Sequence, residues 1–408
     1  MSTSAPYIPR AGERAPRPDR YRSTRRAELK IWWREIDRVL LFLVIVLMAI
    51  GTAAVAAASP ASANRLSTAT ETLPDLYFYW AHLRWQIVGL TVMFGAAMLS
   101  RENARRAGIM LFAAMFVLLI LVPIIGNEVN GARRWINLGF SFQPSEFLKP
   151  AFAIALAWTI SWRARDPNLP VIAIATGAMG AVGMLLMLQP NLGDTVLFAG
   201  VWFALVILSG VSTQRLGLVL GAGAIISCMT YLFYENGRNR INDFFAGGTA
   251  YDQVDLAERT LLAGGWTGSG LWLGVRKMSL PEAHTDYIFS VIGEEFGLLV
   301  CGLIVLLYLA IIVRVLVRLV DEEDLFTLLA GAGLAALIGG QAFINILVNL
   351  QLAPSKGMTL PLVSYGGSST IAVCLTIGLL LAITRRNPFL RRNSPGLWHR
   401  LFGQEAQA

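Results

Sequence analysis

Three polar clusters interrupt an otherwise apolar chain, and their residue types suit chemistry beside an anionic ligand. The first is Gly131-Ala-Arg133-Arg134-Trp135-Ile-Asn137, followed by Gln143-Pro144-Ser145-Glu146-Phe-Leu-Lys149. Pro144 closes a loop and Ser145 reads as a helix N-cap. Glu146 and Lys149 are three apart, so they share one helix face. They form either a capped helix with an internal ion pair or a charged site beside a membrane-held substrate. Charges inside a membrane default to function, but near the interface the two readings weigh equally.

The second cluster is Leu280-Pro281-Glu282-Ala-His284-Thr285-Asp286-Tyr287-Ile-Phe289, running into Gly293-Glu294-Glu295-Phe-Gly297. Upstream lie Gly264-Gly-Trp-Thr-Gly-Ser-Gly270, Gly274, Arg276 and Lys277. Glycine-rich backbone beside Arg and Lys can cradle phosphate oxygens, although flexible turns account for such a run equally simply. Asp286 opens an apolar stretch, where an acid suits the helix dipole. It can be a cap or a general base at the membrane surface. Glu294 and Glu295 lie about two turns further in, at a depth where a carboxylate needs a partner.

The third cluster joins Gln341, Asn345 and Asn349 to Pro354-Ser355-Lys356-Gly357 and Pro361-Leu-Val-Ser364-Tyr365-Gly-Gly-Ser-Ser369. The three amides recur every four residues and form one polar stripe, which ordinarily serves interhelical hydrogen bonding. Lys356 is a lone cation in its loop. Asn191-Leu-Gly-Asp194, after Gln189-Pro190, reads as a structural turn.

These clusters must be positioned by membrane helices. Of 408 residues, 55% are hydrophobic and 15% charged, against about 45–50% and about 25% in soluble domains. Mean hydropathy is +0.57. Apolar blocks fall at about 39–58, 84–100, 108–126, 145–162, 170–188, 193–210, 214–234, 287–316, 326–350 and 364–384, each near the roughly 20 residues that span a bilayer. The expected fold is therefore all-α and integral to the membrane, with about ten transmembrane helices. The alternating ten-residue segments of a β-barrel are not evident. Arg101, Arg105, Arg106, Arg163, Arg165, Arg314, Arg318, Arg385, Arg386, Arg391 and Arg392 then fall on the cytoplasmic side, with both termini. Residues 1–38 read as a disordered basic cytoplasmic tail without the apolar core of a signal peptide. Residues 39–386 form the membrane domain and 387–408 a cytoplasmic C-terminal tail.

The same parity puts 127–144, the large loop 235–286 between the seventh and eighth spans, and 351–363 outside. Those stretches carry Arg133, Arg134, Arg238, Arg240, Arg259, Arg276, Lys277 and Lys356, against the positive-inside trend. Topology gives no reason for a basic outer face, so an anionic ligand there is expected. The net charge of +8 follows mostly from topology, and no nucleic-acid partner is expected. Cys228, Cys301 and Cys374 form no disulfide framework or metal spacing, and His82, His284 and His399 are too few for a histidine-rich metal site.

Taken together, Gly131–Lys149, Pro281–Phe289, Gly293–Gly297 and Pro361–Ser369 resemble the SEDS family of division, elongation and sporulation proteins, over roughly residues 37–387. The resemblance implies ten transmembrane helices and a peptidoglycan glycosyltransferase that polymerises lipid II outside the cytoplasmic (inner) membrane. It aligns Asp286 with an essential aspartate, and Arg134, Glu146 and Lys149 with the family's charged residues in and after the first outer loop. Lys356 falls where division members read Pro-Thr-Lys-Gly, so it favours septal division over elongation, as does the basic tail. Asn191 stands where the family reads an acid, which puts an acidic role in that turn in doubt.

The resemblance further implies an inverting displacement. Asp286 is the expected base, and Arg134, Lys149 and Lys356 the expected pyrophosphate ligands, with Arg276 and Lys277 weaker ones. Glu146, His284, Ser364 and Tyr365 are expected to help hold substrate. A divalent cation (Mg or Mn) could share the pyrophosphate, although no ligand cluster for one is visible in the sequence. The implied partners are lipid II, a lipid-linked glycan chain, a class B penicillin-binding protein transpeptidase and other division proteins. A lipid II flippase is the competing reading. It should show mid-bilayer charge and repeated halves, and no repeat is visible. A division scaffold without activity is a third.

Overall fold

The computed structural model describes residues 25–68, 72–129, 132–137, 139–235, 238–239, 242, 245, 253–354 and 357–385. Most of both tails, and Lys356, lie outside these residues. Residues 25–35, expected within the disordered tail, form helix α1 (Arg25–Glu35), which belongs to a separate unit from the body Asp37–Arg385.

The body is helical. α2 (Arg38–Leu66), α3 (Tyr77–Ala97) and α4 (Arg101–Ile125) precede three short antiparallel strands, β1 (Asn127–Val129), β2 (Ala132–Asn137) and β3 (Ser141–Phe142), in the order β1-β2-β3. α5 (Pro144–Ser161), α6 (Val171–Leu188), α7 (Leu192–Leu208) and α8 (Thr213–Phe233) follow. The chain continues through α9 (Gln253–Ala263), α10 (Ile288–Phe296), α11 (Leu298–Leu319), α12 (Leu325–Asn349) and α13 (Gly367–Ile383). Among the described residues, α2, α4, α6, α11 and α12 are long and apolar enough to cross a membrane, and α7, α13 and Leu220–Phe233 are shorter apolar helices.

The expected single block at 287–316 is two helices, α10 and α11. The break is Gly297, whose φ of +85° belongs to glycine. A Cβ there would also collide with the backbone of Trp266, Thr267 and Gly268.

α3 packs along α13, α4 along α5, and α12 against α5 and α7. Small residues permit the closest approach. A Cβ on Gly378 of α13 would lie 2.5 Å from the Met93 carbonyl of α3. At the end expected to face the cytoplasm, Asp37 caps α2 by accepting from the Val39 and Leu40 N–H groups. It also binds Arg314 at 2.8 Å and Arg318 at 3.0 Å, tying α2 to α11.

Candidate active site

The polar clusters converge at the opposite end. Its floor is laid by α5, which Pro144 starts as the first helical residue, a position where its missing N–H costs nothing. The N-cap is Gln143, not Ser145 as expected. Ser145 instead donates its hydroxyl to Asp194 Oδ2 at 2.9 Å. One turn on, the buried Lys149 ammonium lies 2.7 Å from Glu146 Oε1 and 2.9 Å from Asp194 Oδ1. Asn191 caps α7 and donates to Asp194 Oδ2 at 2.7 Å. Asp194, read from sequence as part of a turn, is thus a central member of a buried charge cluster. Lys149, Glu146 and Gln341 also line a cavity of about 10 Å³, room for about one water, and Glu146 Oε2 is buried without a hydrogen-bond partner among the described residues.

Above this floor the polar stripe of α12 grips two loops. Gln341 donates to the Thr359 carbonyl at 3.0 Å. Asn345 donates to the carbonyls of Asp286 at 2.8 Å and Met358 at 2.6 Å. Asn349 donates to the Asp286 carbonyl at 3.0 Å and accepts from Ser290 N–H and hydroxyl. The stripe therefore fixes loop backbone, a task its helical spacing does not distinguish from ordinary helix–helix bonding. Ser364 and Tyr365 complete the clamp. Ser364 Oγ donates to the Thr285 carbonyl at 2.6 Å, and Tyr365 N–H donates to the His284 carbonyl at 3.0 Å. His284 is packed between Phe78 and Tyr365, with ring centroids 4.2 and 5.3 Å away. Burial pushes its pKa down to about 4, so it is neutral at pH 7.

Asp286 is the residue these contacts hold. α10 begins at Ile288 with Tyr287 at its cap, and no side chain caps it, which removes the capping role for Asp286. Among the described residues no donor reaches its half-buried carboxylate, whose pKa is pushed up to about 7. Burial is the main cause, Glu282 and Glu146 add to it, and Arg134 opposes it. All three therefore stand within electrostatic reach. Arg134 is carried on β2, and its guanidinium donates to the carbonyls of Gln189, at 2.9 Å, and Pro190. Gly357 adjoins the carboxylate, since a Cβ there would lie 3.6 Å from Asp286 Oδ2. Its neighbour Lys356 lies outside the described residues.

Arg276 and Lys277 are placed differently. Their N–H groups donate to the two oxygens of Glu294, at 2.6 and 2.8 Å. Trp272 and Gly274 N–H donate to Glu295. The Lys277 ammonium is buried against Glu295 and the Ala57 carbonyl. Residues 272–277, the end of the stretch expected to cradle phosphate, thus cradle the protein's own carboxylates, while Ser269 and Gly270 N–H reach backbone carbonyls. Lys277 is consequently sequestered, while the Arg276 side chain is exposed. Among the described residues no three His, Cys, Asp or Glu side chains gather as a metal site.

Known proteins share this chain and fold. The model of the cell cycle protein family of FtsW, RodA and SpoVE matches residues 37–388. A protein of Caulobacter vibrioides named "Probable peptidoglycan glycosyltransferase FtsW" is 34% identical over 371 residues, 90% of this chain and 93% of its own. A Francisella salina protein of the same name is 32% identical, over 87% and 90%. Among solved structures, a chain of a peptidoglycan synthase complex that coordinates polymerization and crosslinking matches with a TM-score of 0.69. It shares 27% identity and covers 86% of this chain and 98% of its own. The rod shape determining protein RodA of Thermus thermophilus matches at 0.64, with 28% identity over 87% and 99%. With the family model spanning the whole helical body, and relatives alike over nine-tenths of their length, the chain belongs to the FtsW, RodA and SpoVE family of membrane proteins, the SEDS family.

Proposed function

We propose that the chain is a peptidoglycan glycosyltransferase that polymerises lipid II on the outer face of the bacterial inner membrane, at the division septum. The observation that carries this reading is the Asp286 carboxyl. It is held through its own backbone by Asn345 and Asn349, left without a donor among the described residues, and raised toward neutrality by burial. A general base works best with a pKa near the working pH, and contributes roughly 10²–10⁴-fold. The relatives named as peptidoglycan glycosyltransferases, and the matched synthase chain, support the substrate class.

In the proposed step, a sugar hydroxyl of lipid II attacks the anomeric carbon of the growing chain. The new C–O bond forms as the bond from carbon to the pyrophosphate oxygen breaks. Asp286 takes the hydroxyl proton, and the lipid pyrophosphate leaves with the bonding electrons. A single displacement inverts an α-linked donor to a β-linked product. Charge developing on the pyrophosphate needs fixed cations nearby. Arg134 is within electrostatic reach of Asp286, and Lys356 is the chain neighbour of Gly357, which borders it. These two are the proposed pyrophosphate ligands, with exposed Arg276 a weaker one.

Lys149 has two carboxylates beside it and serves in this proposal to position the floor. His284, Ser364 and Tyr365 position the Asp286 loop. Lipid-anchored substrate would enter from the bilayer, and a class B penicillin-binding protein would cross-link the product. The test is lipid II polymerisation by the purified chain with a transpeptidase partner that cannot itself polymerise. The native chain makes glycan strands and Asp286→Ala makes none. Equal product from both overturns the assignment of the base, and lipid II crossing a bilayer without polymerisation would favour a flippase.

A further inference from the structure

A second site stands apart from Asp286, in the loop 264–278 between α9 and α10. Six of its backbone N–H groups are served by two residues of α10. Ser269 and Gly270 N–H donate to the carbonyls of Glu294 and Glu295, at 2.8 and 3.0 Å. The carboxylates of the same two residues take the N–H groups of Trp272, Gly274, Arg276 and Lys277. Its side chains point the other way. Trp266 is 71% exposed, Leu273 69% and Val275 77%, with Leu271 and Trp272 also exposed. A loop in water has little use for two buried carboxylates as internal acceptors, because water serves its N–H groups. At the edge of the hydrocarbon, where water is scarce, internal acceptors of this kind hold the backbone in its place.

The height of the loop agrees. Trp272 Nε1 donates to the Ala56 carbonyl of α2 at 3.1 Å, and Lys277 Nζ to that of Ala57 at 3.0 Å. At about 1.5 Å per residue, Ala57 lies about 28 Å along α2 from Arg38. Asp37, Arg314 and Arg318 mark the inner edge at that end of α2. The loop therefore sits near the far edge of a hydrocarbon core about 30 Å thick. Tryptophans gather at that level, and the exposed Arg276 can extend its guanidinium to headgroup phosphates.

We propose that residues 264–278 form a non-helical wedge seated in the outer leaflet, with lipid acyl chains covering Trp266, Leu271, Leu273 and Val275. Glu294 and Glu295 are its internal hydrogen-bond acceptors. α10 joins this wedge at one end to Asp286 at the other, so the lipid seat sets the depth of the candidate base.

The experiment places a fluorophore at Leu273→Cys, or separately Val275→Cys, in a Cys228→Ser background, since Cys301 and Cys374 are buried. The full chain is reconstituted in phosphatidylcholine–phosphatidylglycerol nanodiscs with lipids doxyl-labelled high on the acyl chain. Exposed Glu128→Cys on β1 is the aqueous reference. Doxyl quenching at 273 and 275 should exceed that at 128 by roughly twofold or more, with a water-soluble nickel chelate giving the reverse order, because only the loop sites lie at hydrocarbon depth. Two label sites, each checked for native thermal stability, guard against one variant misfolding. Chelate quenching at 273 and 275 without doxyl quenching overturns the proposal. So does protection that arises only when a transpeptidase partner is added, which would make the patch a protein-docking face.

Discussion

Replacing Asp194 by alanine should destabilise the protein by about 3–5 kcal/mol, the usual cost of removing one partner from a buried ion pair. The magnitude follows from the contacts. Asp194 Oδ1 lies 2.9 Å from the Lys149 ammonium, and Oδ2 accepts from Ser145 at 2.9 Å and Asn191 at 2.7 Å. Both charged side chains are about 95% buried. Alanine strands the Ser145 and Asn191 donors as well as half of the Lys149 pairing. Asp194→Asn keeps an acceptor and the shape, so its cost should be smaller. A double-mutant cycle with Lys149→Met isolates the pair, and a direct contact should give a coupling of about 0.5–3 kcal/mol. The assay is reversible unfolding in bicelles, followed by steric trapping. A cost below about 1 kcal/mol for Asp194→Ala, together with strict additivity in the cycle, would show that Asp194 and Lys149 are not coupled, because distant sites add within about 0.3–0.5 kcal/mol.

Asn345→Leu removes the α12 donor to the Met358 carbonyl and one of the two to the Asp286 carbonyl, leaving that of Asn349. Turnover at saturating lipid II should fall on the order of 10²-fold, the cost of misplacing a reacting group by about 1 Å, and undiminished turnover would remove the clamp from the account. The acid limb of the polymerisation rate should have its midpoint near the Asp286 pKa of about 7, with activity lost as pH falls, because the base must be ionised. Stability should move oppositely. The folded state holds the Asp286 proton more tightly than the unfolded chain, whose value is near 3.8, so this group's contribution declines as pH rises from about 4 to about 7. Asp286→Asn should therefore be more stable than the native chain above pH 7, with the gap closing toward pH 4 in thermal unfolding.

Residue types and spacing carry much of this arrangement. The Glu146–Lys149 pair follows from helical periodicity, as does the amide stripe at Gln341, Asn345 and Asn349. What the stripe binds does not, because its partners at Asp286 and Met358 are loop carbonyls that any residue supplies. Asp194 escaped for a related reason. Its partner Lys149 is on another helix, and nothing local in Asn191-Leu-Gly-Asp194 says which cation faces it. The run Gly264–Gly270 with Arg276 and Lys277 suggests from sequence either a phosphate cradle or flexible turns, and in the fold it is residues 272–277 that enclose an anion. Backbone N–H groups bind a carboxylate as readily as a phosphate, so only the fold tells that Glu294 and Glu295 fill it. The split at Gly297 is hidden because both sides of it are apolar, and its positive φ is a tertiary demand.

The proposed role of Asp286 is to accept the proton in glycan polymerisation. Its most direct test compares native chain and Asp286→Asn in the lipid II assay, with partner binding and unfolding midpoint measured on the same samples. The expected result is a loss of at least about 10²-fold in rate from a variant that folds at least as well and binds its partner equally. A variant that polymerises at the native rate, with the same acid limb near pH 7, would contradict it.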